Sequence, residues 1–461
     1  MIIMSEQFVD RVGELKALRG AYESSRKEMI IVYGRRRVGK TALVKKSVEN
    51  VPHIYFFAEE TLESENLRTF KSLVAKVLGN PLVERAELSW EELFELLDGS
   101  GVVVIIDEFP NLLKANRGLV SKFQKIWDSA DKLKLVLTGS AISVMESHVL
   151  GYKSPLYGRR TLSIMLKPLS FLHLKEFFPE KSWEELVRIY GITDGIPAYI
   201  REVQFRLNAG ESLEEVFQPN KPLFDEAEFL LRSELREPAR YFAILKAIAF
   251  GKTKFGEIVS FTGLPGSTVS KYLSNLQTLH IVEERHPVGE PERNRNARYY
   301  LSDLYFNFWF RFVYPNRSQL LDFGYIENFE EEYNHYLGFV FEKASADFLR
   351  EVNKAEKLPF RFTKIGKWWR KGEEIDLVAL NERERKALFV EVKWKNLSER
   401  EARGILKDLG RKSELVGLGE WEKEYGLIAK RLEEKENLRK EGFLVWDLRD
   451  FEEVKTYLPP Q

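Results

Sequence analysis

The 461-residue sequence predicts an α/β protein built from several domains. Three observations predict it. At about 150 residues per domain the chain is too long for one ordinary core. The stretch "MIIVYGRRRVGKTALVKK" at 29–46 sets an apolar strand, a glycine loop and a helix in succession. Residues 325–461 alternate helical stripes with strand patterns such as "EEIDLVAL" and "LFVEVKWK".

Composition limits what these parts can do. Lys plus Arg equals Asp plus Glu at 71 each, so no overall field draws the chain to nucleic acid or acidic lipid, and such contacts must come from local patches. The absence of cysteine excludes disulfides, thiolate metal sites and cysteine nucleophiles. Apolar runs such as "VVVII" at 102–106 are far too short to span a bilayer, and "MIIMSEQF" lacks the pattern of a leader. The expectation is a soluble, cytoplasmic protein with no membrane partner.

The first element with chemistry is the glycine loop. Gly34, Arg35, Arg36, Arg37, Val38, Gly39, Lys40 and Thr41 fit G-x-x-x-x-G-K-[ST] at every fixed position, and Ala42 opens the following helix. Loop N–H groups and the helix N-terminus would hold the α and β phosphates of ATP or ADP, Lys40 would reach the β and γ phosphates, and Thr41 would ligate Mg²⁺. Next, "VVVIIDEFPNLL" gives a fully buried, parallel-type strand ending in Asp107 and Glu108, at the edge where α/β sheets place ligands. Asp107 is expected to hold Mg²⁺ through water, and Glu108 to orient the water that attacks the γ-phosphate. The third strand, "LKLVLTGS", ends at Ser140, which either senses the γ-phosphate or caps a helix. Arg159 in "PLYGRR" is a candidate to stabilise the transition state, in cis or from a neighbouring copy, so a homo-oligomer is compatible with the sequence.

Together "FVDRVGELKAL", "GRRRVGKT", "DEFP", "LTGS", "PLYGR" and "DGIPAYI" resemble, in this order, the archaeal ATPase family within the AAA+ and STAND group of P-loop proteins. The resemblance implies that Phe8, Val9 and Arg11 lie against the adenine.

Segments from about 165 to 235 carry apolar residues at helical spacing and are expected to form a lid over the nucleotide, flexing at "DGIPAYI", or a plain helical packing domain. From 240 to 312, three helices and a charged hairpin give the form of a winged helix-turn-helix. Val269, Leu273 and Leu276 would face inward, and Ser267, Ser270, Lys271 and Ser274 outward towards DNA. Arg285, Arg293, Arg295 and Arg298 make the wing basic, as befits a DNA contact or a structural arm.

In the last part Glu342 lies on the apolar stripe of a helix with Phe339, Ala346 and Leu349. Strand alternation sets Asp376 with Glu374 and Val378, then Glu391 and Lys393 with Phe389, opposite Leu388, Val390, Val392 and Trp394. Helix Glu, strand Asp and then Glu-x-Lys on the next strand resemble PD-(D/E)XK nucleases, and "KWWRKGEEIDLVA" and "VEVKW" resemble the tails of archaeal ATPases bearing a restriction-endonuclease-like domain. Asp376 and Glu391 would ligate Mg²⁺ or Mn²⁺, Glu342 would complete or tune the site, and Lys393 would steady the nucleophile or the charge on phosphorus. The helix that follows lacks the glutamine of active members and offers Arg403 and Lys407 instead. Lys364, Lys367, Arg370 and Lys371 around Trp368 and Trp369 form either a patch that stacks a nucleic-acid strand or a core pair with solvated neighbours.

The expected order is therefore a P-loop NTPase core over 1–165, a helical lid over 166–235, a winged helix-turn-helix over 236–320 and a restriction-endonuclease-like α/β domain over 321–461. The function expected from it is an ATPase coupled to a metal-dependent nuclease acting on DNA. The alternative is a nucleotide-switched scaffold with an inactive nuclease fold.

Overall fold

The computed structural model describes residues 7–235, 237–290 and 296–457. Two compact units appear: residues up to Pro168 with Ile196–Ala198, and Leu169–Gly195 with the chain from Tyr199 onward.

The first unit is a five-stranded parallel sheet of β1 (Glu28–Tyr33), β2 (His53–Phe57), β3 (Val103–Asp107), β4 (Lys134–Gly139) and β5 (Leu162–Met165), in the order β2-β3-β4-β1-β5. Its central strands are apolar on both sides because helices cover both faces. Met29, Ile31, Val104, Ile106, Leu135 and Leu137 join one core, while Ile30, Val32, Val103, Ile105 and Val136 join the other. The first core is braced by a run of rings from Phe56 through Phe70 and Trp90 to Phe123. With β1 set between β4 and β5, the loop after β1 opens at the carboxyl edge of the sheet, near the ends of β3 and β4.

In the second unit the helix Trp183–Thr193, expected in a nucleotide lid, packs on the long helix Phe329–Lys354. Tyr336 donates to the Gly191 carbonyl at 3.1 Å and Tyr190 to Asp347 at 3.2 Å. Gly191 permits this approach, since a Cβ there would lie 2.8 Å from the Tyr333 hydroxyl oxygen. After two further helices, Pro197–Asn208 and Pro222–Glu234, come the helices Pro238–Ala249, Phe255–Thr262 and Gly266–Thr278, then the antiparallel pair β6 (Val282–Arg285) and β7 (Arg298–Leu301).

A second sheet comprises β8 (Lys364–Arg370), β9 (Glu373–Asn381), β10 (Lys386–Leu397), β11 (Glu422–Leu432) and β12 (Leu444–Asp447), in the order β12-β11-β10-β9-β8. Pairs among β8, β9 and β10 are antiparallel, and pairs among β10, β11 and β12 are parallel. Phe341 of the 329–354 helix meets Trp394 on one face, at 5.1 Å between ring centres. The helix Glu399–Glu414 covers the other, packing Leu406 and Leu409 into the core that holds Phe389. Among the described residues no helix is long and apolar enough to cross a membrane.

Candidate functional site

The loop of residues 34–39 is shaped by conformations that favour glycine. Gly34 has φ +153°, Gly39 has φ +99°, and Arg37 between them is left-handed at φ +68°. A Cβ on Gly34 would lie 2.4 Å from the Leu166 carbonyl oxygen. Gly34→Ala is therefore expected to cost roughly 1–3 kcal/mol of stability and to weaken nucleotide binding, read by denaturant unfolding and ATP titration. Val38 anchors the loop in the core, Arg36 and Arg37 are exposed, and Arg35, Gly39 and Ala42 are half-buried.

Lys40 is buried, and its ammonium donates to the carbonyls of Gly34 at 2.9 Å and Arg35 at 3.0 Å. Burial lowers its pKa to about 8, against the pull of Glu108 and Asp107. Thr41 Oγ1 donates to Asp107 Oδ2 at 2.8 Å. Tyr55 donates to the same oxygen, while Thr138 and the Glu108 N–H donate to Oδ1. Three donors besides Thr41 thus fix the carboxylate against the Thr41 hydroxyl. A hydroxyl and a carboxylate side by side suit Mg²⁺, which takes one or two protein oxygens and completes its shell with water and phosphate.

Glu108 is left-handed at φ +56° and accepts from Ser140 N at 3.1 Å and Oγ at 2.8 Å. Ser140, expected as a sensor or a cap, thus holds Glu108. Phe8 packs against a core of the sheet, Val9 is buried, and buried Arg11 donates to the Lys167 carbonyl at 2.5 Å and to Glu14 at 3.3 Å. Arg159 makes a two-pronged pair with Asp128 at 2.8 and 2.9 Å and donates to the Pro155 carbonyl, so its contacts lie away from the loop.

In the second unit, ion pairs link the four residues expected at a hydrolytic centre. The β9–β10 ladder stops at Leu377 and Val390, and beyond it Asp376 Oδ2 accepts the Val392 N–H at 2.9 Å. Lys393 bridges the gap, with its ammonium 3.1 Å from Asp376 and 2.5 Å from Glu391. Two carboxylates therefore converge on one cation, the Lys393 ammonium. A hard divalent ion with one or two protein carboxylates fits that donor pair.

Glu342 belongs to the 329–354 helix and reaches Asp376 through Lys367, 2.9 Å from Glu342 and 3.7 Å from Asp376. Glu391 instead faces the 399–414 helix, where Lys412 meets it at 3.0 Å. Among the described residues no three His, Asp or Glu side chains gather to hold a metal. Simple alternation also fails here: Ile375 and Val378 share one core, because β8 and β9 slip register between Gly366 and Trp368. Such a bulge re-aims side chains, and it turns Asp376 towards Lys367.

Burial raises the Glu342 pKa to about 7, helped by Asp376 and Glu374 and opposed by Lys367. Burial also raises Glu391, with Asp376 adding to the rise. For Asp376, burial is outweighed by Lys393 and Lys367, and its pKa falls. A carboxyl raised on folding stabilises the protein below its unfolded value and loses that contribution as pH rises through the folded one. The stability of wild type relative to Glu342→Gln is thus expected to fall between about pH 4.5 and about 7 and level off above, measured by unfolding across pH.

The basic and aromatic patch resolves to its core alternative: Trp368 and Trp369 are 1% and 5% exposed, Lys367 is held by carboxylates and Lys364 pairs with Glu382. Arg298 lies over the Trp369 ring at 4.7 Å and pairs with Glu374 at 2.8 Å, and Arg285 pairs with Glu283. Arg293 and Arg295 fall outside the described residues. Arg403 is taken up by Glu399 and Glu441. The sequence reading missed Lys412, whose only signal was its place on the helix following Glu-x-Lys, and the pairing of Lys367 with Glu342.

Residues 8–203 match the family described as an ATPase domain predominantly from Archaea, and residues 309–405 match one described as archaeal and bacterial proteins of unknown function. An uncharacterised protein of Methanocaldococcus jannaschii is 48% identical over 449 residues, covering 96% of this chain and 100% of the relative. Another protein of that organism, named as an uncharacterised ATP-binding protein, is 51% identical over 43 residues, 9% of this chain and 73% of its own. Among solved structures, the Walker-type ATPase of Pyrococcus abyssi aligns over 66% of this chain and 97% of its own at 23% identity, with a TM-score of 0.52.

Proposed function

Because the chain belongs to the archaeal P-loop ATPase family, we propose that it binds and hydrolyses ATP at residues 34–41 and acts on DNA through its second unit. The observation that carries the ATPase half is the 2.8 Å contact between Thr41 and Asp107 beside the recessed Lys40 ammonium. Mg²⁺ bound there would neutralise charge on the phosphates. Lys40 would leave the loop carbonyls for the β and γ phosphates, and Glu108, steadied by Ser140, would orient the attacking water. Phe8, Val9 and Arg11 would border the base, and Arg159 would act only after release from Asp128.

For the second unit we propose a restriction-endonuclease-like domain that hydrolyses phosphodiesters. The shared cation position between Asp376 and Glu391 supports this reading. A divalent ion bound there would polarise the phosphate and lower the pKa of a water. Lys393, freed from the carboxylates, would face the charge developing on phosphorus. The test is cleavage of single-stranded, duplex and branched DNA with and without ATP and Mg²⁺ or Mn²⁺. Metal-dependent cutting of at least one form is expected, and inertness on all of them removes the nuclease reading.

The three helices of 238–278 and the β6–β7 hairpin are proposed as a winged helix that contacts DNA. Ser267, Ser270, Lys271 and Ser274 are exposed while Val269, Leu273 and Leu276 are buried, which supports that use of the 266–278 helix. Lys271→Ala is expected to weaken DNA binding several-fold and lower the slope of log K against log salt by about 1, measured by filter binding.

A second reading is favoured by one observation: the ammonium groups of Lys393 and Lys412 occupy both oxygens of Glu391. On it, the domain binds DNA without cutting, as a nucleotide-switched scaffold. Glu391→Ala separates the readings, since a scaffold binds DNA and hydrolyses ATP alike before and after the change and cleaves in neither case.

A further inference from the structure

Resting on the phosphodiester reading above, we propose that Lys412 is a latch on Glu391, a positioning residue that keeps this carboxylate from a cation until its ammonium swings away to Asp408. Lys412 stands in the last turn of the 399–414 helix, one turn beyond Asp408. Its ammonium lies 3.0 Å from Glu391 Oε1 and 3.3 Å from Asp408 Oδ2, so two carboxylates compete for it.

Lys393 covers the other oxygen of Glu391, so a carboxylate only 4% exposed has an ammonium on each oxygen. Asp376 holds the Val392 N–H and Lys393 on Oδ2 but keeps Oδ1 more open, the nearest ammonium there, that of Lys367, standing 3.7 Å away. The two expected ligands thus differ in readiness, and Lys412 makes the difference. A cavity of about 380 Å³ opens at this point, lined by Glu391, Lys393, Lys395, Asp408 and Lys412 among others. The long lysine stem therefore has room to change partners without repacking the core. Asp408 is shared with Arg411, at 2.9 Å, which limits its hold on Lys412 and leaves the latch closed in the state described.

The test is a titration of the full-length, nucleotide-free protein with Mn²⁺, following the free ion by electron paramagnetic resonance. The binding that disappears in Asp376→Ala defines the site. Lys412→Gln, one atom shorter but still polar, removes the charge and is expected to tighten that component on the order of tenfold, the scale of one partly buried ion pair. Asp408→Asn, which removes the carboxylate that competes with Glu391 at 3.3 Å, is expected to weaken it. If an Asp376-dependent component exists and Lys412→Gln leaves it unchanged or weaker, the latch is overturned and the phosphodiester reading stands. If Asp376→Ala removes no Mn²⁺ binding, that reading falls and the latch falls with it.

Discussion

Lys40→Ala is expected to lower ATP hydrolysis about a thousandfold, the scale of removing one preorganised charge from a transition state. The reason lies in how the ammonium is stored. It sits 5% exposed against the carbonyls of Gly34 and Arg35, with its pKa lowered to about 8 by burial. Phosphate oxygens arriving in the loop would replace those neutral acceptors with charged ones, a gain an alanine cannot supply. The loop backbone is set by Gly34 and Gly39, not by the lysine, so the variant is expected to fold and to retain weakened nucleotide binding. Phosphate release and ATP titration on the same preparation check both halves, and hydrolysis within a few-fold of wild type would remove Lys40 from the mechanism.

If the second unit cleaves DNA as proposed, Asp376→Ala is expected to have the second large effect, a loss of metal-dependent cleavage of about a thousandfold or more. Asp376 holds the Val392 N–H where β9 and β10 part, and shares the Lys393 ammonium with Glu391. Its removal takes away one of the two carboxylates that define the cation position and leaves a buried N–H without this acceptor. Asp376→Asn separates the two losses, because the amide keeps an oxygen for Val392 while giving up the charge. Cleavage should fail in both variants, whereas the melting temperature should drop mainly in alanine. ATP hydrolysis is expected to persist in each. Cleavage surviving in Asp376→Asn would show that this charge does not hold the ion.

The nucleotide loop was legible because its chemistry is local. The loop and the start of its helix lie within eight residues, 34–41, and G-x-x-x-x-G-K-T states the backbone requirement directly. Asp107 was legible at a separation of 66 residues because a buried strand ending in an acidic pair fixes where that pair emerges. The inward and outward positions of the 266–278 helix followed from helical spacing alone. Strand alternation correctly set Glu391 and Lys393 on the side of Phe389, but it misplaced Asp376 relative to Val378, because a register slip depends on the neighbouring strand. The pair Trp368 and Trp369 reads equally well as a stacking platform or as core, and burial decided for core.

By itself, then, the sequence determined the parallel α/β unit, its phosphate loop and the order of acidic and basic residues along the last strands, since each follows from short-range spacing and polarity. Tertiary structure decided which charges meet. It drew Lys367 to Glu342, set Lys412 on Glu391, tied Arg159 to Asp128 and gave the helix 183–193 to the second unit. Those partnerships depend on register across strands and on the rotation of helices about their axes. A one-residue slip in either redirects a side chain to another face, while the one-dimensional pattern stays the same.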